Sequence, residues 1–331
     1  MPPRKLKRKQ IVLTAPGSKS PVSMWFVNIP ACPDGFLMGS RGYDADEEPI
    51  HRVAIDEDFW LAETLVTQEQ FDVWPGAAER GEDHWPAGKA NHPANNLSWH
   101  DAMQYCDWLT RTHGKKFPKG FPFAELPCEA RWEYACRAEK NTEYSSGDGV
   151  TALDVAGWYD GNSANTTQPV KSKKFPNDFQ LSDMHGNVWE WCLDRWDAAA
   201  YRRRWDGITD VDTYRLSEEF GDRELFGFPD PRVLRGGSWT SSAYGCRSAC
   251  RVGDWAGVRF LLFGFRVCLV RSPLFSQTGE AEPERTALER RDEATGAGSD
   301  GEAEILKTSS PGSARGRTAP EAPPPQPCPV P

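Results

Sequence analysis

MHGNVWEWCLDRW, residues 184–196, is the stretch of the chain from which its fold is predicted. Gly186 and Asn187 both tolerate a positive φ, so together they predict a sharp turn. Three tryptophans follow within ten residues and bring a large aromatic area into one short segment. Glu190 lies between two of them, so its carboxylate is expected to point inward and to require a partner or a cation.

Further motifs follow this stretch in a defined order. RVLRGGSW (residues 232–239) precedes CRSACR (246–251), and the chain then reads GFRV (264–267). This order resembles that of the formylglycine-generating enzyme, or sulfatase-modifying factor, family. The resemblance implies an irregular, loop-rich α+β fold of the C-type-lectin type. It covers roughly residues 22–272, and its N-terminal motifs are IPACPDGFLMGS (29–40), EEPIHRVAIDEDFWLAETLVTQEQF (47–71), NNLSWHDAMQYCDWL (95–109) and ELPCEARWEYACRAE (125–139).

Composition divides the chain into three predicted parts. Residues 1–21 begin with a cluster of lysines and arginines and are predicted to be a disordered basic N-terminus. Residues 22–275 contain the family motifs and are predicted to form the folded domain. Residues 276–331 contain no aromatic residue and are acidic and rich in proline. Such a segment buries too little apolar area to offset its ordering entropy, so we predict a disordered tail.

The charge balance limits the classes of partner. The chain has 331 residues and a net charge of −9, which argues against nucleic acid as the main partner. No apolar segment long enough for a signal peptide or a membrane span follows the basic N-terminal residues. We therefore expect a cytoplasmic protein without a membrane partner.

Capping residues predict the starts of two helices, and apolar spacing predicts a third. Thr67 is expected to cap a helix that starts at Gln68. Ser98 followed by Asp101 resembles a capping box, with aspartate in place of the usual glutamate. Apolar residues at helical spacing predict a further helix over roughly residues 128–138.

The resemblance also raises a catalytic alternative. Formylglycine-generating enzymes oxidise a cysteine of their sulfatase substrate with copper(I), which is held by two thiols three and eight residues after the serine of RGGS. That serine is Ser238 here, and the corresponding positions carry Ser241 and Cys246. Soft thiolates suit copper(I) and serine does not, so we do not expect copper or catalysis. Cys246 and Cys250 are the alternative catalytic pair, in a metal-dependent oxidoreductase that acts on protein cysteine.

Calcium is the other ion that the resemblance implies. In the family, the GNVWEW turn supplies carbonyl oxygens and a carboxylate, which are the ligands that calcium prefers. The ligands implied here are Gly186, Val188 and Glu190 for one ion, and Asn162 for a second. The alternative left open is that Glu190 pairs with an arginine, Arg235 or Arg266, in a dry scaffold.

Two inserts interrupt the scaffold motifs, at residues 240–245 (TSSAYG) and 252–263 (VGDWAGVRFLLF). They resemble the variable region of diversity-generating retroelement proteins, which share this fold. Those proteins diversify asparagine codons, which cannot yield Lys, Glu, Gln, Met or Trp. Apart from Trp255, none of these five types occurs in either insert. The predicted ligand-binding residues are Thr240, Ser241, Ser242, Ala243, Tyr244, Gly245, Val252, Gly253, Asp254, Trp255, Ala256, Gly257, Val258, Phe260, Leu261 and Leu262.

The favoured function is therefore the binding of a protein or other macromolecular ligand through a variable surface. Both inserts leave the scaffold segment 246–251 from its two ends. We therefore expect them side by side, with Tyr244, Trp255 and Phe260 forming one exposed aromatic patch. Two other interpretations stay open. Residues 260–263 could be an ordinary buried strand, and the domain could be a structural accessory whose tail recruits partners.

Overall fold

Short strands and helices alternate with long loops through most of the chain. The structure is a computed structural model that describes residues 6–14, 21–80, 89–173, 175–221, 224–225 and 228–275. The α-helices are α1 (Gln68–Phe71), α2 (Trp99–His113), α3 (Glu129–Arg137), α4 (Val150–Ala156), α5 (Ala200–Arg203) and α6 (Asp210–Phe220). The strands are β1 (Arg8–Leu13), β2 (Val22–Ile29), β3 (Cys32–Met38), β4 (His51–Ile55), β5 (Phe59–Ala62), β6 (Phe123–Glu125), β7 (Trp189–Arg195), β8 (Ile208–Thr209), β9 (Glu224–Leu225), β10 (Phe228–Pro229), β11 (Pro231–Arg235), β12 (Arg251–Trp255), β13 (Phe263–Gly264) and β14 (Cys268–Val270).

The helix starts follow the local capping signals. Thr67 accepts a hydrogen bond from the backbone N–H of Gln70 and caps α1, as predicted. Ser98 and Asp101 form a reciprocal capping box at the start of α2, so the aspartate replaces glutamate without loss of the motif. Helix α3 begins and ends one residue inside the predicted range.

Four sheets carry the strands. The largest has the order β1–β2–β5–β14–β6, and a four-stranded sheet has the order β12–β11–β7–β13. Strands β3, β4 and β8 form a third sheet, and β9 pairs with β10. One hydrophobic core joins side chains from β2, α2, α3, β7 and β14, among them Phe26, Tyr105, Trp132, Trp191 and Leu269. This mixture of small sheets, helices and loops confirms the predicted α+β fold.

The N-terminal prediction requires a correction. Residues 8–13 are ordered as β1, which pairs antiparallel with β2 from Arg8 opposite Val27 to Leu13 opposite Val22. Ile11 and Leu13 are buried, because alternation along a strand turns them to the core and the intervening residues to solvent. The nearby basic charge had suggested disorder. The predicted tail, residues 276–331, lies outside the described residues and stays a prediction.

The GNVWEW segment (residues 186–191) forms a turn that leads into strand β7. Gly186 and Asn187 have φ values of 74° and 67°, which confirms the predicted turn. The Gly186 N–H donates to Gly236 O, which ties this turn to the RGGSW segment. Trp191, on β7, is fully buried and donates through Nε1 to Leu97 O. Among the helices of the described residues, none combines the length and apolarity needed to cross a bilayer.

Candidate functional site

The two inserts leave the four-stranded sheet at different places. Arg251 lies opposite Arg235 and Trp255 lies opposite Pro231, so Trp255 sits at the far end of β12 from residues 240–245. At about 3.3 Å per residue, four residues of strand separate the two ends of β12 by ~13 Å. Tyr244 and Phe260 are exposed and Trp255 is half-buried, so the single aromatic patch stays a prediction.

The inserts approach each other at Trp189. Hydrogen bonds fix both ends of residues 256–262. The Ala256 N–H donates to Asp230 O, and Leu262 O accepts from the Trp189 N–H. A Cβ added at Gly245 would lie 3.9 Å from Cζ2 of the same tryptophan. Both inserts thus have a residue near Trp189, and the expectation that they lie side by side stays a prediction.

The predicted ligand-binding residues differ in exposure: four are exposed, two are buried and the other ten are intermediate. The exposed fractions of Tyr244, Phe260 and Leu261 are 41%, 39% and 58%, so these large side chains are open to solvent. Ala256 and Leu262 are buried, which removes their side chains from the predicted binding surface. Their burial follows from the backbone, since the bonds of the 256–262 segment to Asp230 and Trp189 turn both side chains inward.

The ring of Tyr244 contacts the guanidinium of Arg247, which also lies over the ring of Tyr43. The Arg247 guanidinium carbon lies 3.6 Å from the ring centroid of Tyr43 and 4.2 Å from that of Tyr244. Two hydrogen bonds of 2.9 and 2.7 Å fix this guanidinium to the buried carboxylate of Glu47. Partial burial and a hydrogen bond to Asp44 raise the pKa of Tyr244. The exposed Tyr244 ring is therefore presented in one orientation.

The segment around Phe260 and Leu261 is fixed in a similar way through its backbone. Asn95 Nδ2 donates to Leu261 O at 2.6 Å, and the Phe263 N–H donates to Phe260 O at 2.9 Å. The Phe260 ring packs edge-on against Phe263, with centroids 5.4 Å apart. Phe263 is buried, so the buried-strand interpretation is correct for this residue alone. The exposed apolar side chains thus project from a rigid turn.

The residues available do not fit a copper(I) site. Ser241 Oγ accepts from the Ser238 N–H at 2.9 Å, so the side chain at the first thiol position closes a local turn. Cys246 packs in a small cluster with Tyr144, whereas Cys250 belongs to the main core. Burial raises the pKa of Cys250 to about 12 and that of Cys246 well above its ordinary value. Burial thus disfavours the thiolate form of both residues, and the thiolate is the form that binds copper(I).

Glu190 makes the ion pair that was the alternative to calcium. Arg266 donates from Nε to Oε2 at 3.0 Å and from Nη2 to Oε1 at 2.8 Å. Trp132 Nε1 donates to the same Oε2 at 2.9 Å. Both oxygens are engaged, and a fixed guanidinium beside them would repel a divalent cation, so Glu190 does not fit a calcium ion in this arrangement. The other candidate arginine, Arg235, pairs with Glu133.

Asn162, the residue implied for a second calcium ion, bonds within its own turn. Its Oδ1 accepts from the Tyr159 N–H at 3.0 Å, and its Nδ2 donates to Gly157 O at 3.1 Å. The backbone carbonyls of Gly186 and Val188 carry no charge of their own. Calcium binding at these positions therefore stays a prediction that a titration must test.

A buried network of charged side chains surrounds α3, and the sequence analysis did not predict it. Glu129 accepts two hydrogen bonds from Arg251, at 2.6 and 3.0 Å, and Glu133 pairs with Arg235 and Arg137. Burial alone would raise the pKa of Glu129, but the surrounding guanidinium groups hold it well below its usual range. Two glutamates four residues apart, with two arginines, on a helix whose apolar residues predict burial are the signal that could have predicted this network.

His185 gives this scaffold a measurable pH dependence. It is buried, its Nε2 accepts from the Ser145 N–H at 3.0 Å, and its Nδ1 lies 2.9 Å from Cys246 O. An imidazole that accepts at Nε2 and donates at Nδ1 is neutral. Burial lowers the pKa of His185 from its ordinary 6.5 to about 4.

We expect the free energy of unfolding to fall as the pH drops from 6.5 to 4. Between pH 6.5 and about 4, His185 binds a proton in the unfolded chain but not in the folded chain. The stabilisation is therefore complete above pH 6.5 and is lost progressively as the pH falls to about 4. The contribution of this residue is roughly 3 kcal/mol across that window. Urea unfolding at a series of pH values should show a steeper acid loss for the wild type than for His185→Gln. Parallel profiles would contradict the prediction.

The chain is similar in sequence and in fold to several known proteins. A family model described as the sulfatase-modifying factor enzyme 1-like domain matches residues 26–271. Serine/threonine-protein kinase pkn1 of Chlamydia caviae is 30% identical over 259 residues, which are 70% of this chain and 36% of that protein. The chain thus spans about a third of the length of this relative.

The formylglycine-generating enzyme of Streptomyces coelicolor is 29% identical over 268 residues, with 62% of this chain and 76% of that enzyme covered. Among solved structures, Treponema denticola variable protein 1 superposes with a TM-score of 0.61 and 26% identity. That match covers 79% of this chain and 99% of the other. These similarities agree with the order of motifs and with the observed fold.

Proposed function

This chain belongs to the sulfatase-modifying factor enzyme 1-like family, and from that premise we propose that it is a binding member of the family, without catalysis. Its ligand is a protein or other macromolecule, which it contacts through residues 240–245 and 252–261. One observation carries the proposal. Leu261 is 58% exposed, yet its carbonyl is held at 2.6 Å by Asn95, so a large apolar side chain is displayed on a fixed backbone.

Physical reasons favour binding by this surface. Exposed apolar side chains cost solvation free energy that a partner can recover, and a fixed backbone lowers the entropy lost on association. Tyr244 adds an aromatic ring of the kind enriched at binding hot spots. The similarity to Treponema denticola variable protein 1 supports the same function. The missing first thiol and the buried Cys246 and Cys250 count against the oxidoreductase alternative.

The coding sequence tests whether this surface is diversified. We expect a near-repeat of the segment that encodes residues 240–263 close to the gene. Its differences from the gene should fall at adenines of the repeat, because asparagine codons are the ones diversified in such proteins. The flanking sequence of the gene provides the measurement. A locus without this repeat would contradict diversification, although binding would still need the next experiment.

Binding itself can be tested by selecting protein binders from a display library against the wild-type chain. Phe260→Ala with Leu261→Ala should weaken most independent binders by about 2 kcal/mol or more, because hot-spot side chains contribute at that level. The matched control is Phe175→Ala, which removes an exposed aromatic ring (61%) outside the inserts. Melting curves should show that both variants fold. The proposal would be contradicted if the affinity of the binders fell as much for Phe175→Ala as for the double variant.

A further inference from the structure

A cavity of about 340 Å³ opens between the start of α2 and the second insert. Among the residues that line it are Trp74, His100, Asp101, Gln104, Gly257 and Arg259. Sites for small ligands typically occupy about 300–1,000 Å³, so this cavity is large enough for one side chain or a small acid. Because Gly257 and Arg259 come from the second insert, the cavity adjoins the surface proposed above.

Asp101 accepts hydrogen bonds from residues of its own fold at both carboxylate oxygens. One of its oxygens, Oδ2, accepts from Ser98 N at 2.9 Å, from Ser98 Oγ at 2.8 Å and from Arg259 Nε at 2.7 Å. The other oxygen, Oδ1, accepts from Arg259 Nη2 at 2.7 Å. Three of these donors converge on Oδ2 and one on Oδ1, so the carboxylate is held at both oxygens. The negative charge of the cavity is thus already neutralised by its own residues.

Arg259, in contrast, retains donor capacity. A guanidinium carries five N–H donors in a planar fork, and the pairing with Asp101 takes two of them. Its side chain is 54% exposed, so the opposite edge of the fork reaches solvent. Asp101 is itself fixed by the capping box, and the guanidinium is therefore held in one orientation. The cavity presents an ordered cationic edge.

The other polar walls favour the same kind of ligand. His100 and Gln104 are exposed and lie four residues apart, so they occupy the same side of α2. Both side chains can donate hydrogen bonds. Trp74 supplies a flat apolar wall against which a short carbon chain can pack. A ligand that suits these walls brings acceptor oxygens and a short aliphatic stem.

We propose that this cavity binds a carboxylate group, which accepts hydrogen bonds from Arg259 while its methylene stem packs on Trp74. The group is either an acidic side chain of a protein ligand or a small free carboxylic acid. The assignment rests on the proposed function only for the statement that the cavity is part of the ligand-binding surface.

The test uses the full chain and N-acetyl-glutamate amide as the probe, with N-acetyl-glutamine amide as its uncharged match. Binding is followed at low salt through the NMR signals of His100 and of the Trp74 indole. We expect saturable shifts with the glutamate probe and at least tenfold weaker binding of the glutamine probe. Equal responses to the two probes, or no saturable shift with glutamate, would overturn the proposal.

Two variants locate the response. Gln104→Glu adds a negative charge at the cavity without touching the Arg259–Asp101 pair, and should weaken the glutamate probe at least tenfold. Thr112→Glu makes the same addition at an exposed position of α2, about 12 Å further along the helix at 1.5 Å per residue. It should leave the affinity unchanged. Equal effects of the two variants would show long-range charge repulsion and overturn the assignment.

A further arm separates the sources of the carboxylate. Tighter binding of a glutamate-containing peptide than of the single-residue probe assigns the group to a protein ligand, and equal affinities assign it to a free acid. If library binders ignore Phe260→Ala with Leu261→Ala while the glutamate probe still binds the wild-type chain, the proposed function fails and the carboxylate site stands.

Discussion

Arg266→Ala is expected to lower the free energy of unfolding by about 3–5 kcal/mol, because it leaves a buried carboxylate without its cation. Arg266 and Glu190 are both essentially inaccessible to solvent. The guanidinium also donates to Ala62 O at 3.0 Å and to Ser182 O at 2.9 Å, so two carbonyls lose a donor with it. Urea unfolding measures the loss.

Arg271→Ala is the matched control. Arg271 pairs with Asp58 and Glu57 at the surface, with 44% of its side chain exposed. Exposed pairs of this kind contribute about 0–1 kcal/mol. A loss of similar size in the two variants would contradict the assignment of Arg266 as the partner that neutralises Glu190.

Melting of the wild-type protein tests calcium binding through Glu190. If an ion bound the native state through Glu190, a hundredfold excess over its dissociation constant would stabilise the protein by about 2.7 kcal/mol. Chelator should then lower the melting temperature of the wild type. With Glu190 paired to Arg266, we expect identical wild-type melting curves in calcium and in chelator. A calcium-dependent wild type would restore the ion that the family resemblance implies.

Gly186→Ala should destabilise the protein by about 3 kcal/mol or more, from roughly 1–2 kcal/mol of left-handed strain and roughly 1–3 kcal/mol of overpacking. Its φ is 74°, and an added Cβ would lie 1.9 Å from Trp158 O and 2.6 Å from Trp158 C. The contacting atoms belong to the backbone, so the clash is relieved only by moving a chain segment.

Gly42→Ala separates the two causes. Gly42 has a φ of 82°, but nothing lies within 4 Å of its added Cβ, so this variant has the strain alone. We expect its loss to stay near 1–2 kcal/mol. Chemical denaturation of both variants gives the comparison. Equal losses would mean that the approach of Trp158 to Gly186 contributes nothing to the requirement for glycine.

Much of the scaffold was predictable because its signals are local. The caps at Thr67 and Ser98 act over three residues, and the positive φ of Gly186 and Asn187 is a property of each residue. The ordered motifs extended these local signals to the whole α+β fold. The strand β1 was missed because a few apolar residues stand among basic ones, and only their pairing with β2 gives them a buried face.

The binding surface was partly predictable. The apolar run predicted exposed side chains, and Phe260 and Leu261 are exposed. Its boundaries were not predictable, because Ala256 and Leu262 are turned inward by bonds to residues distant in the chain. Strand register likewise places Trp255 at the opposite end of β12 from Arg251, and register depends on the partner strand.

The choice of ion-pair partners illustrates the limit most clearly. The sequence establishes that Glu190, set between tryptophans, needs a positive partner. It offers both Arg235 and Arg266, and spacing along the chain cannot rank them. Arg266 lies 76 positions away and still makes the pair. Coulomb attraction depends on distance in space, and packing of the core sets that distance. The arginine that pairs with Glu190 is therefore determined only by the tertiary structure.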